Sequence, residues 1–139
     1  MVLIRGYKDT DYDDVRLNLQ EGDLYNPERD SRHGLGEKIR RNPDSILVAE
    51  DRERAVGNVY IVEDGWAAFI FRLAVRRSYR ESGIGSLLME NAEARMRKKG
   101  IKEVSISVRD HEVALKEFYA KRGYIALPMT HRWMYKALE

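Results

Sequence analysis

From residue 75 to residue 86 the chain reads Val75-Arg76-Arg77-Ser78-Tyr79-Arg80-Glu81-Ser82-Gly83-Ile84-Gly85-Ser86. What flanks this stretch decides the fold. Upstream, Trp66 to about Val75 is mostly apolar and reads as a buried strand. Downstream, Ile84, Leu87, Leu88, Ala92 and Met96 recur on one face of a helix over Gly83 to Lys99, which Gly100 stops. A strand-to-helix turn of this kind aims backbone N–H groups at one spot, where the positive end of the helix also lies. Gly83 and Gly85 carry no side chain, so an anion can approach the main chain, and Arg76, Arg77 and Arg80 add charge nearby. The outline is a pyrophosphate cradle, although the same glycines also suit a tight turn with close packing. There is no Gly-Lys-Ser/Thr of a P-loop and no Gly-x-Gly-x-x-Gly of a dinucleotide fold. The expected ligand is therefore a phosphate-bearing cofactor held by neither of those devices.

Working outward, Val2 to Tyr7 reads as a first strand, and Thr10 to Asp13 can cap a helix in which Tyr12, Val15 and Leu19 share a face up to Gly22. Tyr25 to Gly36 is polar and broken by Pro27, Gly34 and Gly36, a loop leading into a short helix that ends near Asn42-Pro43. Ile46–Glu50 and Ala55–Val62 read as strands joined by the turn at Asp51 to Arg54, and Glu63-Asp64-Gly65 signals another turn. Beyond the central helix, Val104, Ile106 and Val108 alternate with Glu103, Ser105 and Ser107 as a strand does. Glu112 to Arg122 reads as a helix with Leu115, Phe118 and Tyr119 inward. Tyr124–Leu127 and Arg132–Leu138 complete the pattern as strands. The order is βααβββαβαββ, and the crossover from residue 66 to 108 predicts two neighbouring parallel strands.

The chain has 139 residues, 25 Lys+Arg against 23 Asp+Glu, three His and no Cys. With no linker or repeat, residues 1–139 are expected to form one domain. The longest uncharged apolar stretch, Gly65 to Phe71, is far below the ~18 residues of a spanning helix, and Val2-Leu3-Ile4 is too short for a secretory signal. No membrane association is expected, and the cytoplasm is the expected compartment. Without cysteine there is no disulfide, thiolate metal site or cysteine nucleophile. The histidines at 33, 111 and 131 lack ligand spacing, so no metal is expected. Arg95, Arg97, Lys98 and Lys99 sit at a helix end, where cations suit the dipole. With no basic stripe interleaved with aromatics, nucleic-acid binding is not expected.

Arg80-x-x-Gly83-x-Gly85, after a strand ending Leu73-Ala74-Val75 and opening a helix, resembles the acetyl-CoA-binding motif of the Gcn5-related N-acetyltransferase (GNAT) superfamily. Phe118-Tyr119-Ala120-Lys121-Arg122-Gly123-Tyr124 is similar to that family's second signature, and the order of elements from residue 2 to 138 matches too. The resemblance implies an α/β fold: a mixed, mostly antiparallel twisted sheet of six to seven strands, flanked by about four helices, with a splayed parallel pair at its centre. It also implies acetyl-CoA as cosubstrate. Its pantetheine arm would pair with main chain at Leu73, Ala74 and Val75, where an N–H polarises the thioester carbonyl. Its pyrophosphate would lie on the N–H groups of Arg80, Glu81, Ser82, Gly83, Ile84, Gly85 and Ser86. Tyr119 would donate a proton to the departing thiolate, a workable role for a phenol of pKa ~10 beside a thiol near ~8.5.

The family's substrate side would be roofed by Tyr25 to Gly36, making Tyr25 and Arg29 candidate acceptor contacts. Arg72, an odd residue in a core strand, is a third: it could pair with a substrate carboxylate or with an internal acid. Two features depart from the family pattern. No acidic residue lies between Trp66 and Val75 to deprotonate the amine, and Glu63, Asp64, Glu50 and His131 are only weak substitutes. Glu112 occupies the place of an asparagine often found before the second signature. The implied activity is transfer of acetyl from acetyl-CoA to a primary amine, of a small molecule or a protein, by direct attack in a ternary complex. The alternative is a non-catalytic CoA-binding regulatory domain. The family often dimerises through its late strands, so the resemblance implies a homodimer.

Overall fold

The structure, a computed structural model, describes residues 1–129 and 132–138. Contacts divide the chain into two compact units, Met1–Ile106 and Ser107–Glu139.

In the first unit, β1 (Leu3–Gly6), β2 (Ile46–Asp51), β3 (Arg54–Glu63) and β4 (Ala68–Val75) form an antiparallel sheet in sequence order. Three helices accompany it: α1 (Tyr12–Glu21), α2 (Arg32–Arg41) and α3 (Ile84–Lys98). Ile46 to Ala49 are buried without a break, as a strand covered on both faces requires. On one face, Val15 and Leu19 of α1 and Leu35 of α2 pack with Tyr7, Ile46, Val48, Tyr60 and Ala74. On the other, α3 buries Ile84, Leu88, Met89, Ala92 and Met96. Full burial of each such side chain stabilises the fold by about 1.5–3 kcal/mol. A Cβ on Gly57 of β3 would stand 3.1 Å from Leu88 and 3.2 Å from Ile84. That glycine lets the first turn of α3 come close to the sheet, fixing where the helix starts.

The turns follow their chemistry. Ser31 caps α2, its hydroxyl accepting from the Gly34 N–H at 3.0 Å. A Cβ at Gly34 would lie 2.5 Å from the Arg29 carbonyl oxygen, so the 26–31 loop folds back tightly only over a glycine. Glu63 and Asp64 accept the N–H groups of Gly65, Trp66 and Ala67 and close the β3–β4 turn. Trp66 projects from it, 88 % exposed.

β3 and β4 do not pair continuously. Tyr60 faces Phe71 and Asn58 faces Ala74, so Arg72 and Leu73 together oppose Val59. This is a β-bulge, with Arg72 in the left-handed region at φ 55°. Beyond α3, the chain returns to β4 in parallel at one bridge, Phe69 to Ser105. There the Ile70 N–H donates to the Ser105 carbonyl at 2.9 Å and the Ser105 N–H to Ala68 at 3.0 Å.

In the second unit, α4 (Val113–Ala120) is an eight-residue helix closed by Gly123 at φ 91°. Trp133 is 83 % exposed.

The expectation of six to seven strands is corrected: the sheet of the described residues has four. Val104, Ile106 and Val108 do show the predicted alternation of burial, but one bridge is not a ladder. Tyr124–Leu127 and Arg132–Leu138 have strand-like composition yet no strand structure. Propensity alone does not make a strand, because the ladder hydrogen bonds and packed neighbours stabilise it. No helix among the described residues is long and apolar enough to cross a membrane.

Candidate functional site

Two features meet at the C-terminal end of β4. The first is the loop into α3. Arg77–Tyr79 form one turn of 3₁₀ helix, and Gly83 caps α3 in the left-handed region at φ 85°. Ile84 and Gly85 head the helix, ahead of its first backward bond from the Leu87 N–H to the Gly83 carbonyl at 3.1 Å. Glu81, Ser82 and Gly83 are exposed and Gly85 and Ser86 half-buried, so this main chain is accessible to an anion. Space is open around Gly83; its left-handed backbone favours glycine there.

The arginines divide their duties differently from the expectation that all three charge the cradle. Arg76 turns inward, donating from Nε to Asn18 at 3.1 Å and from Nη2 to Asp14 at 3.1 Å. Arg80 braces the loop, donating from Nε to the Val75 carbonyl at 2.9 Å and from Nη2 to the Glu21 carbonyl at 3.3 Å. Arg77 is exposed, while its N–H donates to Glu21 Oε1 at 2.7 Å. The Ser82 hydroxyl bonds the Tyr79 carbonyl. The loop is thus shaped before any ligand arrives. The second basic cluster is largely neutralised: Lys99 meets Glu63 at 2.8 Å and Arg97 meets Glu93 at 3.6 Å.

The second feature is the bulge. The Arg72 carbonyl accepts from Asn58 Nδ2 at 3.0 Å, and Asn58 Oδ1 accepts from Asn18 at 3.1 Å. Both asparagines are fully buried. A strictly alternating strand would send the side chains of Phe71 and Arg72 to opposite faces. Through the bulge, Arg72 shares the α1/α2 face with Phe71, its Nε reaching Asp30 Oδ1 at 3.2 Å.

Asp30, 2 % exposed, gathers this side of the site. Oδ1 also accepts from the Tyr60 hydroxyl at 3.0 Å, and Oδ2 from the Asn26 N–H at 2.8 Å. Its carbonyl accepts from Tyr12 at 2.9 Å, whose oxygen in turn is 3.1 Å from that of Tyr25. Burial and the neighbouring carboxylate push the Tyr60 phenol well above its ordinary value. Lys38 of α2 donates to the Ile61 carbonyl at 2.8 Å, and burial lowers its pKa to about 8.

Of the sequence candidates, Leu73, Ala74, Val75 and residues 80–86 are contiguous here. Tyr25 and Arg72 meet through Asp30 and Tyr12, whereas Arg29 is exposed and outside that network. Arg72 meets an internal acid, Asp30, through Nε, while its terminal nitrogens make no hydrogen bond among the described residues. Glu50 pairs with Arg5 at 2.7 Å and Glu63 with Lys99, while Asp64 closes a turn, so each carboxylate is already engaged. His131 lies outside the described residues. Asp30 is one of many polar residues in its loop, and nothing local marks it. Lys38 carries no sequence signal at all. Asn58, a lone amide in an apolar run, is the readable one.

In the second unit Tyr119 is 8 % exposed, with the rings of Phe118 and Tyr124 edge-on at 5.2 and 5.5 Å. Burial, with the nearby Glu112, raises its pKa to about 12 despite Arg122.

Comparison with known proteins matches this architecture. An acetyltransferase of Sodalis glossinidius is 28 % identical over 121 residues, 87 % of this chain and 85 % of that protein. One of Yersinia pestis is 29 % identical over 121 residues, with 87 % and 86 % covered. The structure of the PaiA N-acetyltransferase from Thermoplasma acidophilum in complex with coenzyme A superposes with a TM-score of 0.79. Its identity is 22 %, over 94 % of this chain and 93 % of that one. Ard1 from Thermoplasma volcanium gives 0.78 at 24 % identity, over 89 % and 82 %. At these identities the structural likenesses speak for the fold. A profile of the Acetyltransferase (GNAT) family matches residues 12–124, and the chain belongs to that family.

Proposed function

We propose that the protein transfers an acetyl group from acetyl-CoA to a primary amine, by direct attack within a ternary complex. The observation that carries this reading is the bulge at Arg72–Leu73 set directly before the open loop of residues 80–86. A thioester there supplies an activated acetyl group. The chain's own task is to bind and polarise it. Main chain at Leu73 to Val75 lines the acyl end, and backbone N–H groups turned out of the ladder by a bulge are suited to a carbonyl oxygen gaining charge. N–H groups between Arg80 and Ser86 receive the pyrophosphate. The absence of cysteine favours direct attack over an acyl-enzyme.

Tyr119 is the proposed donor to the departing thiolate. A phenol raised to about 12 is fully protonated at neutral pH and always able to donate. Complete transfer to a thiolate whose conjugate acid is near ~8.5 is then uphill, so the hydrogen bond carries the stabilisation. Asp30, already filled by three donors, orients Arg72 rather than collecting a proton. The absence of a carboxylate on β4 favours an acceptor amine of low pKa, such as an α-amino group near ~7.7–8.0.

The reading is tested by thermal unfolding with acetyl-CoA, CoA and ATP. Ligand at ~100 times its Kd stabilises the native state by ~2.7 kcal/mol, several degrees in midpoint. A shift with acetyl-CoA and CoA but not ATP is expected. No shift at millimolar acetyl-CoA would overturn it.

A further inference from the structure

The side chains between α2 and the β4 bulge carry one more positive charge than they neutralise. Lys38 extends over two rings, its Nζ 5.8 Å from the Tyr60 centroid and 5.4 Å from that of Phe71. Its one hydrogen bond among the described residues is to a carbonyl, and no carboxylate there lies within ion-pair distance. Arg72 spends Nε on Asp30, while its two terminal nitrogens make no hydrogen bond among the described residues. Asp30 is the one carboxylate in the cluster, shared with Tyr60 and Asn26. A further polar group on this face, the Tyr7 hydroxyl, is buried and has no partner among the described residues.

A cation held in half-buried, largely apolar surroundings is costly until an anion joins it. Arg72 has a side-chain exposure of 20 %, enough for its free edge to be reached. A guanidinium edge and an ammonium together match the two oxygens of a carboxylate. The charge surplus is one, which a carboxylate balances and a phosphate dianion overshoots. Tyr60 and Phe71, ring centroids 5.5 Å apart, provide an apolar wall beside the two cations.

We propose that Lys38 and Arg72 bind a carboxylate of the acceptor, so that the amine acetylated belongs to an amino acid or peptide rather than to a simple alkylamine. This rests on the acetyltransferase reading above.

The test separates the two readings. With CoA bound, the protein is treated briefly with acetic anhydride at pH 8, and labelling of Lys38 is read by peptide mass mapping. The probes are product analogues that lack a reactive amine: N-acetylated ω-amino acids and dipeptides, each against its C-terminal amide. Expected is several-fold slower labelling of Lys38 with at least one carboxylate form, none with its amide, and loss of that difference in Arg72→Met. Arg72→Lys, which keeps the charge, should keep some of it. Equal labelling across every carboxylate–amide pair overturns the inference. Stronger protection by N-acetyl phosphoethanolamine than by any carboxylate overturns it too. Thiol release with the corresponding free amines and acetyl-CoA is scored separately. Protection without turnover would sink the transferase reading and leave the carboxylate site standing.

Discussion

At Tyr119, burial decides what a single side chain can do. In water its phenol would begin to ionise near pH 10. Closed in by Phe118 and Tyr124 and pushed to about 12, it stays a donor. Under the proposed mechanism Tyr119→Phe keeps the ring packing and removes only the O–H. The expected result is a fall in kcat of about 10²-fold or more, with acetyl-CoA affinity unchanged. Steady-state rates beside a direct binding titration would show it, and unchanged turnover would remove Tyr119 from the mechanism. Legibility differs among residues for a physical reason. Gly83, Gly85 and Tyr119 stand in short runs where neighbours in sequence are neighbours in space. Asp30 and Lys38 acquire their meaning from β3 and β4, at separations such as the 42 residues between Asp30 and Arg72, which no local pattern encodes.

At the scale of elements, the break in β4 is held from outside the strand. Arg72 pays for its left-handed backbone with strain, and the carbonyl it exposes would be a buried orphan without Asn58. Asn58 is oriented by Asn18 of α1, which also receives Arg76 at the mouth of the cofactor loop. One chain of buried amides thus ties α1, β3, the bulge and the loop together. Asn58→Leu is nearly isosteric; it leaves the Arg72 carbonyl unpaired and removes one of the two acceptors of Asn18 Nδ2, which keeps the Ala55 carbonyl at 3.1 Å. A loss of about 1–3 kcal/mol is expected by urea denaturation. If the bulge shapes the acyl site, kcat falls while the KM for acetyl-CoA barely moves; a loss of stability with unchanged kcat would make Asn58 purely structural. The amide in the run Ala55-Val56-Gly57-Asn58-Val59-Tyr60 is visible in the sequence. Its partner is not, because a bulge is a relation between two strands.

For the whole molecule, the helices and the first four strands are readable, each carrying its own period and stop signal. The late strands are where composition misleads: Tyr124–Leu127 and Arg132–Leu138 have the right residues, yet a strand exists only where another backbone receives its hydrogen bonds. Charge networks are equally non-local, and one sets an acid limit on the fold. Burial alone would raise the Asp14 carboxyl. Donors from Arg54, the Ala55 N–H and Arg76 outweigh it and hold the group below its ordinary range. A carboxyl depressed in the folded state contributes stability that is complete above its unfolded pKa of ~3.9 and disappears as pH falls through the folded value. Asp14→Asn should therefore lower the stability measured by urea denaturation at pH 6 by about 1–3 kcal/mol, and the gap from the parent should begin to narrow below pH ~4. A gap that does not narrow at all as pH falls from ~5 to ~2.5 would show that the carboxylate's charge is not what stabilises the pair.

The chain has two tryptophans, Trp66 at the β3–β4 turn and Trp133 in the second unit, and both are more than four-fifths exposed. Their indoles already stand in water while the protein is folded. Excited at the red edge of the near ultraviolet, the native state emits close to where an unfolded chain does, and melting of the core passes with little change of colour. The order of this fold is carried spectroscopically by its amides and by the buried tyrosines around Asp30, through circular dichroism rather than through tryptophan light.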